Sequence, residues 1–244
     1  MNLLIADNYD EMSRMAAEIL INEVKANPSI VLGLATGSTP VGMYKQLIQD
    51  HRSNGTDYSQ VQTVNLDEYI GLEKTDPNSY FRFMQENLFK FINIAEEKRH
   101  IPNGTAVDPH AEAERYDHLV QQLGGIDLQV LGIGQNGHIG FNEPGTPFSI
   151  RTHIVNLADS TRRANARFFD KFEQVPEHAI TMGIANILES RHILLLASGA
   201  SKADSIKRLM EGDISEIFPA SALKLHKNAT IIADQQALQL TQIK

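Results

Sequence analysis

Cysteine is absent from the 244 residues, which excludes disulfides, thiolate zinc sites and cysteine nucleophiles together. Long apolar runs are absent too. Stretches such as Ile193–Ala197 fall far short of the about 18–20 residues a membrane span needs. No block of basic residues is longer than the pair Arg162–Arg163, and 22 Lys+Arg against 30 Asp+Glu leave a formal charge of −8. An acidic surface repels phosphodiester backbones, so neither nucleic acid nor a membrane is an expected partner. A small anion held by a few local cations stays open. The start, MNLLIADNYD, lacks the basic-then-apolar pattern of a secretory signal, and the expected location is the cytoplasm. No repeat, low-complexity tract or Pro/Gly/Ser linker divides the chain, which reads as one domain over residues 1–244.

What is present is an alternation of short apolar runs with longer helix-period segments. The runs Leu3–Ala6, Ile30–Ala35, Val61–Leu66, Asp127–Ile133, His192–Ala197 and Thr230–Ala233 mostly place apolar residues at consecutive positions, as strands covered on both faces do. Between them the pattern predicts helices over Asp10–Ala26, Pro40–Asp50, Ser79–Phe91, Pro109–Leu123, Ser160–Phe172, Thr181–Glu189 and Lys202–Glu211. The first carries Met12, Met15, Ala16, Ile19 and Leu20 on one helical face. The expected fold is α/β with a mostly parallel sheet and helices on both faces. In such folds ligands sit at the carboxyl ends of the strands, so the residues just after each run are the candidates.

After the second run comes Thr36-Gly37-Ser38-Thr39-Pro40. Gly37 permits close backbone approach, the hydroxyls of Ser38 and Thr39 can donate to an oxyanion, and Pro40 suits a first helical turn with free N–H groups. This has the form of an anion cradle, though not of a Walker loop, since no Gly-Lys-Ser/Thr ending follows. A capped strand-to-helix turn would read the same way. After the third run Asp67-Glu68 emerge from a buried strand. An acid there is a candidate general base because partial burial tunes its basicity; a helix cap or surface acid is the bland alternative. Asp67 is favoured over Glu68 for its shorter stem.

The densest segment is Gly132-Ile-Gly-Gln-Asn-Gly-His138-Ile-Gly-Phe-Asn-Glu143-Pro-Gly145. Its Gly132, Gly134 and Gly137 have the dinucleotide spacing, yet Gly140, Pro144, Gly145 and Pro147 forbid the helix that fingerprint requires. The glycines instead allow a tight loop presenting Asn136, His138 and Glu143 side by side. A carboxylate on one imidazole nitrogen would orient the ring and raise its basicity, leaving the other nitrogen for proton exchange. No third residue stands at a metal-site spacing, so no metal and no cofactor is expected. Arg167, on the fifth predicted helix, and Lys202, after Gly199-Ala-Ser201, are cations able to join the Ser38/Thr39 loop around a phosphate. Either alone also reads as a solvated surface charge.

ATGSTP, NLDEYIGL with PNSYFRFM, LGIGQNGHIGFNEPG, TRRANARFFD and GASKA, in this order, closely resemble the glucosamine-6-phosphate deaminase family over nearly the whole chain. The resemblance implies a Rossmann-like sheet with helices on both sides. It also implies conversion of glucosamine 6-phosphate and water to fructose 6-phosphate and ammonium, in amino-sugar catabolism. It assigns ring opening to His138, tuned by Asn136 and Glu143, and proton transfer from C2 to C1 to Asp67. Gly37, Ser38, Thr39, Arg167 and Lys202 would hold the phosphate. Some members carry Asp where Asn136 stands, so here only Glu143 supplies charge. A phosphogluconolactonase-like hydrolase shares the cradle but needs no C2 base. A non-catalytic sugar-phosphate sensor would need a DNA-binding segment. In longer, hexameric members an N-acetylglucosamine 6-phosphate effector is held by a basic pair after the HIGFNEPG-like loop; His153 and Val155 take those places here, implying a short, non-activated type. A small-molecule sugar phosphate is the expected partner, with the chain a monomer or homo-oligomer.

Overall fold

A computed structural model describes residues 1–242 except 159, 160, 164, 165, 167, 168 and 170. Seven parallel strands form the main sheet, in the order β1 (Asn2–Ala6), β10 (Ala229–Asp234), β9 (His192–Ala197), β6 (Leu128–Gly132), β2 (Val31–Leu34), β3 (Gln62–Asn65) and β5 (Arg99–His100). Alternate residues on these strands feed two separate cores, because successive side chains point to opposite faces. Leu194 and Leu196 of β9 enter one core; Ile193, Leu195 and Ala197 enter the other. The first core is closed by α1 (Tyr9–Ala26), α2 (Val41–Asn54) and α3 (Tyr80–Asn87), through Met12, Leu20, Met43, Leu47 and Met84. The second is closed by α4 (Pro109–Gln122), α5 (Ile184–Leu188), α6 (Ala203–Glu211) and α7 (Gln235–Leu238), through Tyr116, Val120, Ile187, Ile206 and Leu209. Each large apolar side chain so buried stabilises the fold by about 1.5–3 kcal/mol before chain entropy is counted.

The order of strands locates the cleft. From β2 the chain moves outward through β3 to β5, then returns to β6 and moves the other way through β9 to β10. The reversal lies between the neighbouring strands β2 and β6, and a crevice opens where loops leave such a pair in opposite directions. Those two loops are Thr36–Pro40 and the glycine-rich segment that follows Gly132.

A second, antiparallel sheet of three strands stands at that end: β4 (Asp67–Tyr69), β8 (His178–Thr181) and β7 (His153–Asn156). The search for continuous apolar runs missed it because its strands are short, and Asp67-Glu68-Tyr69 carries two acids on a fully buried strand. Three helix expectations change accordingly. Thr181 ends β8, and the helix starts only at Ile184. Helix α3 stops at Asn87, with Phe89–Phe91 forming a separate 3-10 turn. Of the segment expected as helix over Ser160–Phe172, the described residues 161–163 are helical and a 3-10 turn covers Phe172–Gln174; Arg167 lies outside the described residues. Among the described residues no helix is long and apolar enough to cross a membrane.

Candidate functional site

The loop after β2 is held from below by two tyrosines. Tyr44 of α2 donates to the carbonyl of Ala35 at 2.6 Å. Tyr9, the first residue of α1, donates to the carbonyl of Ser38 at 3.0 Å and accepts from the Gly42 N–H at 2.8 Å. One hydroxyl thus fixes both the hydroxyl-bearing loop and the first turn of α2. Gly37 adopts φ +88°, open to glycine and rarely to other residues. Pro40 is the N-cap of α2 rather than its first helical residue, and no side chain caps this helix. The positive end of α2 therefore faces the crevice beside Ser38 and Thr39.

Asp67 leaves β3 through Leu66 and enters β4, where it is buried. Burial, reinforced by the neighbouring charge of Glu68, pushes its carboxyl up to about 8, into the range a base working near neutral pH requires. The glycine-rich loop reaches it: a Cβ on Gly140 would lie 3.6 Å from Asp67 Oδ2 and 3.1 Å from Thr181 Oγ1. An aromatic wall stands alongside, with Tyr80 stacked on Phe141 at 6.0 Å and 14° and tilted against Tyr69 at 4.8 Å. The Tyr80 hydroxyl donates to that of Tyr69 at 3.3 Å.

His138 returns over its own loop. A Cβ on Gly134 would fall 2.3 Å from the imidazole, so this glycine is what allows the ring its place. The expected bond from His138 to Glu143 is not formed: Nδ1 stands 3.8 Å from Glu143 Oε2. Asn136 takes that oxygen instead, donating from Nδ2 at 2.7 Å, while its Oδ1 accepts the His138 N–H at 3.2 Å. The other carboxylate oxygen, Oε1, accepts from the Thr161 hydroxyl. Burial lowers the His138 pKa, Glu143 opposes that shift and Lys202 adds to it. The imidazole is therefore neutral at pH 7, and the expected rise in basicity is outweighed by desolvation.

Lys202 closes the ring of loops. It precedes α6, and its Nζ donates to the carbonyl of Ile133 at 2.7 Å, which ties the loop after β9 to the loop after β6. Asp234, at the end of β10, anchors the approach to Lys202. It accepts from Ser198 Oγ at 2.5 Å and from the Gly199 N–H at 3.0 Å, and it caps α7 through Ala237. Gly37, Ser38, Thr39, Asp67, Asn136, His138, Glu143 and Lys202 are thus gathered on three loops and strand β4 at one end of the main sheet. Tyr9, Tyr80, Thr161 and Asp234 escaped the sequence reading. Tyr80 and Thr161 lie in segments already singled out, PNSYFRFM and TRRANARFFD, but nothing in their spacing marked them. Tyr9 and Asp234 reach the cleft only through tertiary contacts. Among the described residues no group of three or more His, Asp or Glu is placed to hold a metal ion.

A family model described as glucosamine-6-phosphate isomerases/6-phosphogluconolactonase matches residues 6–232. A glucosamine-6-phosphate deaminase of Geobacillus sp. strain WCH70 is 60% identical over 240 residues, covering 98% of this chain and 96% of the relative. Glucosamine-6-phosphate deaminase 1 of Bacillus subtilis strain 168 is 51% identical over 98% of this chain and 99% of its own. Among solved structures, a monomeric glucosamine-6-phosphate deaminase superposes with TM-score 0.97 at 51% identity, over 98% of this chain and 100% of that one. The 6-phosphogluconolactonase of Trypanosoma cruzi shares the fold, with TM-score 0.81 at 17% identity over 99% of this chain and 97% of that one.

Proposed function

We infer the activity from one premise: the chain belongs to the glucosamine-6-phosphate isomerases/6-phosphogluconolactonase family. Within it, we assign this protein the conversion of glucosamine 6-phosphate and water to fructose 6-phosphate and ammonium. The observation that carries the assignment over lactone hydrolysis is Asp67, a buried carboxyl pushed up to about 8 beside the His138 loop. Hydrolysis of a lactone has no use for a carbon base, whereas moving a carbonyl from C1 to C2 requires one.

The sequence of steps follows from the chemistry of the residues. His138, neutral and able to accept and return a proton, takes the proton of the C1 hydroxyl and delivers one to the ring oxygen, opening the sugar. Glu143, held by Asn136 and Thr161, supplies the negative charge facing the imidazolium formed in passing. Asp67 removes the C2 proton of the open aldehyde, giving an enolamine, and returns a proton at C1. The resulting iminium at C2 adds water and expels ammonia, which leaves protonated. Ser38, Thr39, the start of α2 and Lys202 hold the phosphate, joined by Arg167 from the segment after Thr161. A solved deaminase 51% identical to this chain is monomeric, which supports a monomer as the working unit.

Ammonium release from glucosamine 6-phosphate tests the assignment, with gluconolactone 6-phosphate as the competing substrate. Release at rates of about 1 s⁻¹ or more is expected; lactone hydrolysis without ammonium would reverse the reading. In the Asp67→Asn variant, turnover should fall about 10²-fold or more and C2 exchange with deuterated water should cease.

A further inference from the structure

NLDEY delivers two acids in succession, and the steps above use only the first. Glu68 points to the face of β4 opposite Asp67 and is 3% exposed. Its carboxylate accepts three backbone N–H groups: Oε1 from Tyr69 and Tyr80, each at 2.9 Å, and Oε2 from Phe81 at 2.9 Å. Tyr80 and Phe81 are the first two residues of α3. A buried carboxylate is costly unless its oxygens are satisfied, and here the donors and the positive helix end hold the charged form. They act against burial, which pushes Glu68 up to about 7.

The anchored residue is the one that enters the cleft. Tyr80 stacks on Phe141 of the His138 loop and meets the Tyr69 hydroxyl, so a shift of the α3 start would carry the aromatic wall away from Asp67. We propose that Glu68 is a positioning residue for the base: its buried carboxylate ties β4 to the first turn of α3 and sets a negative charge one residue from Asp67. This deepens the reaction assigned above and rests on Asp67 being its base.

Glu68 loses its proton before Asp67 does, and its charge then makes the Asp67 anion less favourable and therefore more basic. Around the pair, Asp76 in the turn before α3 adds negative charge. Tyr80 of α3 and Tyr116 of α4 face Asp67 as phenols pushed upward by burial, so they stay neutral; Tyr69 lies on β4 itself. The loop carrying His138 and Glu143 approaches Asp67 through Gly140, and β8 through Thr181, neither of them charged.

Carboxyl carbon NMR of the full chain without substrate tests the coupling. In Glu68→Gln the Asp67 midpoint should drop by about one pH unit, because the charge that opposes its ionisation is gone. In kinetics with glucosamine 6-phosphate, Glu68→Gln should move the acid limb of kcat/KM downward and lower the plateau kcat severalfold, with KM little changed. Glu68→Asp, which keeps the charge on a shorter stem, should leave the limb in place. An unmoved Asp67 midpoint in Glu68→Gln overturns the proposal. If that variant does not fold, a wild-type Glu68 carboxyl still protonated where Asp67 loses its proton overturns it, since no charge would then stand beside the base. Wild-type protein that released no ammonium would overturn the reaction instead, while the midpoints would still decide the coupling.

Discussion

Asn136 donates its side-chain amide to Glu143 Oε2 at 2.7 Å, and the same oxygen stands 3.8 Å from His138 Nδ1. The amide thus stands between the loop histidine and its charge. Its own neutrality matters, since a carboxylate there would repel Glu143 and attract an imidazolium.

Asn136→Asp should therefore raise the His138 midpoint by about one pH unit, since it adds a nearby negative charge and loses a donor to Glu143. Proton NMR of the imidazole reads this directly. Ring opening should become slower below neutral pH, where more of the histidine is already protonated; an unchanged or lowered midpoint would contradict the account.

Stability should depend on Asp67 with a definite sign. Its folded pKa of about 8 lies above the unfolded value of about 3.9, so the folded state binds the extra proton and stability declines as pH rises between those values. Thermal melts of the ligand-free protein should lose several degrees from pH 5 to pH 8. Asp67→Asn, inactive, should flatten that decline and melt a few degrees higher at pH 8. A wild-type Tm that rises steadily over this window, or a variant with the same slope, would count against it.

Tyr9→Phe removes one hydroxyl that holds both Ser38 and Gly42. The loop should loosen without losing a side chain that touches substrate. KM for glucosamine 6-phosphate is expected to rise severalfold, about 0.5–1.5 kcal/mol for a lost hydrogen bond, with kcat within about twofold. A fall confined to kcat would mean that the cradle does not depend on this tether.

Activation by N-acetylglucosamine 6-phosphate should be absent. His153, on β7, is half-buried; burial lowers its pKa, and Nδ1 lies 2.9 Å from the carbonyl of Arg151. With Val155 beside it on the strand, this position has no cation at pH 7.5 to hold a phosphate, and an effector without differential contacts shifts nothing. Substrate curves should stay hyperbolic with or without millimolar effector; a sigmoid that the effector straightens would show otherwise.

Strands β2, β3, β6, β9 and β10 were legible because each is buried on both faces, and continuous apolar runs report that directly; β1 showed as an apolar run although, at the sheet edge, it is partly exposed. Strand β4 was hidden because its burial is polar: Asp67 and Glu68 are covered without being apolar, and hydropathy is blind to a carboxylate satisfied by N–H groups. His138 and Glu143 could be placed on one loop from glycine spacing. That they do not bond could not be foreseen, since the competitor is Asn136 and its reach depends on the turn at Gly137. Tyr9 illustrates the remaining gap: 29 residues separate it from Ser38, and only the pairing of β1 at the far edge of the sheet brings α1 beneath the loop.

That edge has a consequence for synthesis. Residues 2–6 pair in parallel register with residues 230–234, and Gln235 reaches back to Asp7 at 3.0 Å. β1 has β10 as its sheet neighbour, so a nascent chain carries β1 without that partner until residues 230–234 have been made. Contacts this distant in sequence are slow to form, and an open strand is a site for mispairing with other chains. On the ribosome the β2–β6 half can assemble early, while the edge that steadies α1, and with it the Tyr9 tether, is sealed only after β10 has emerged.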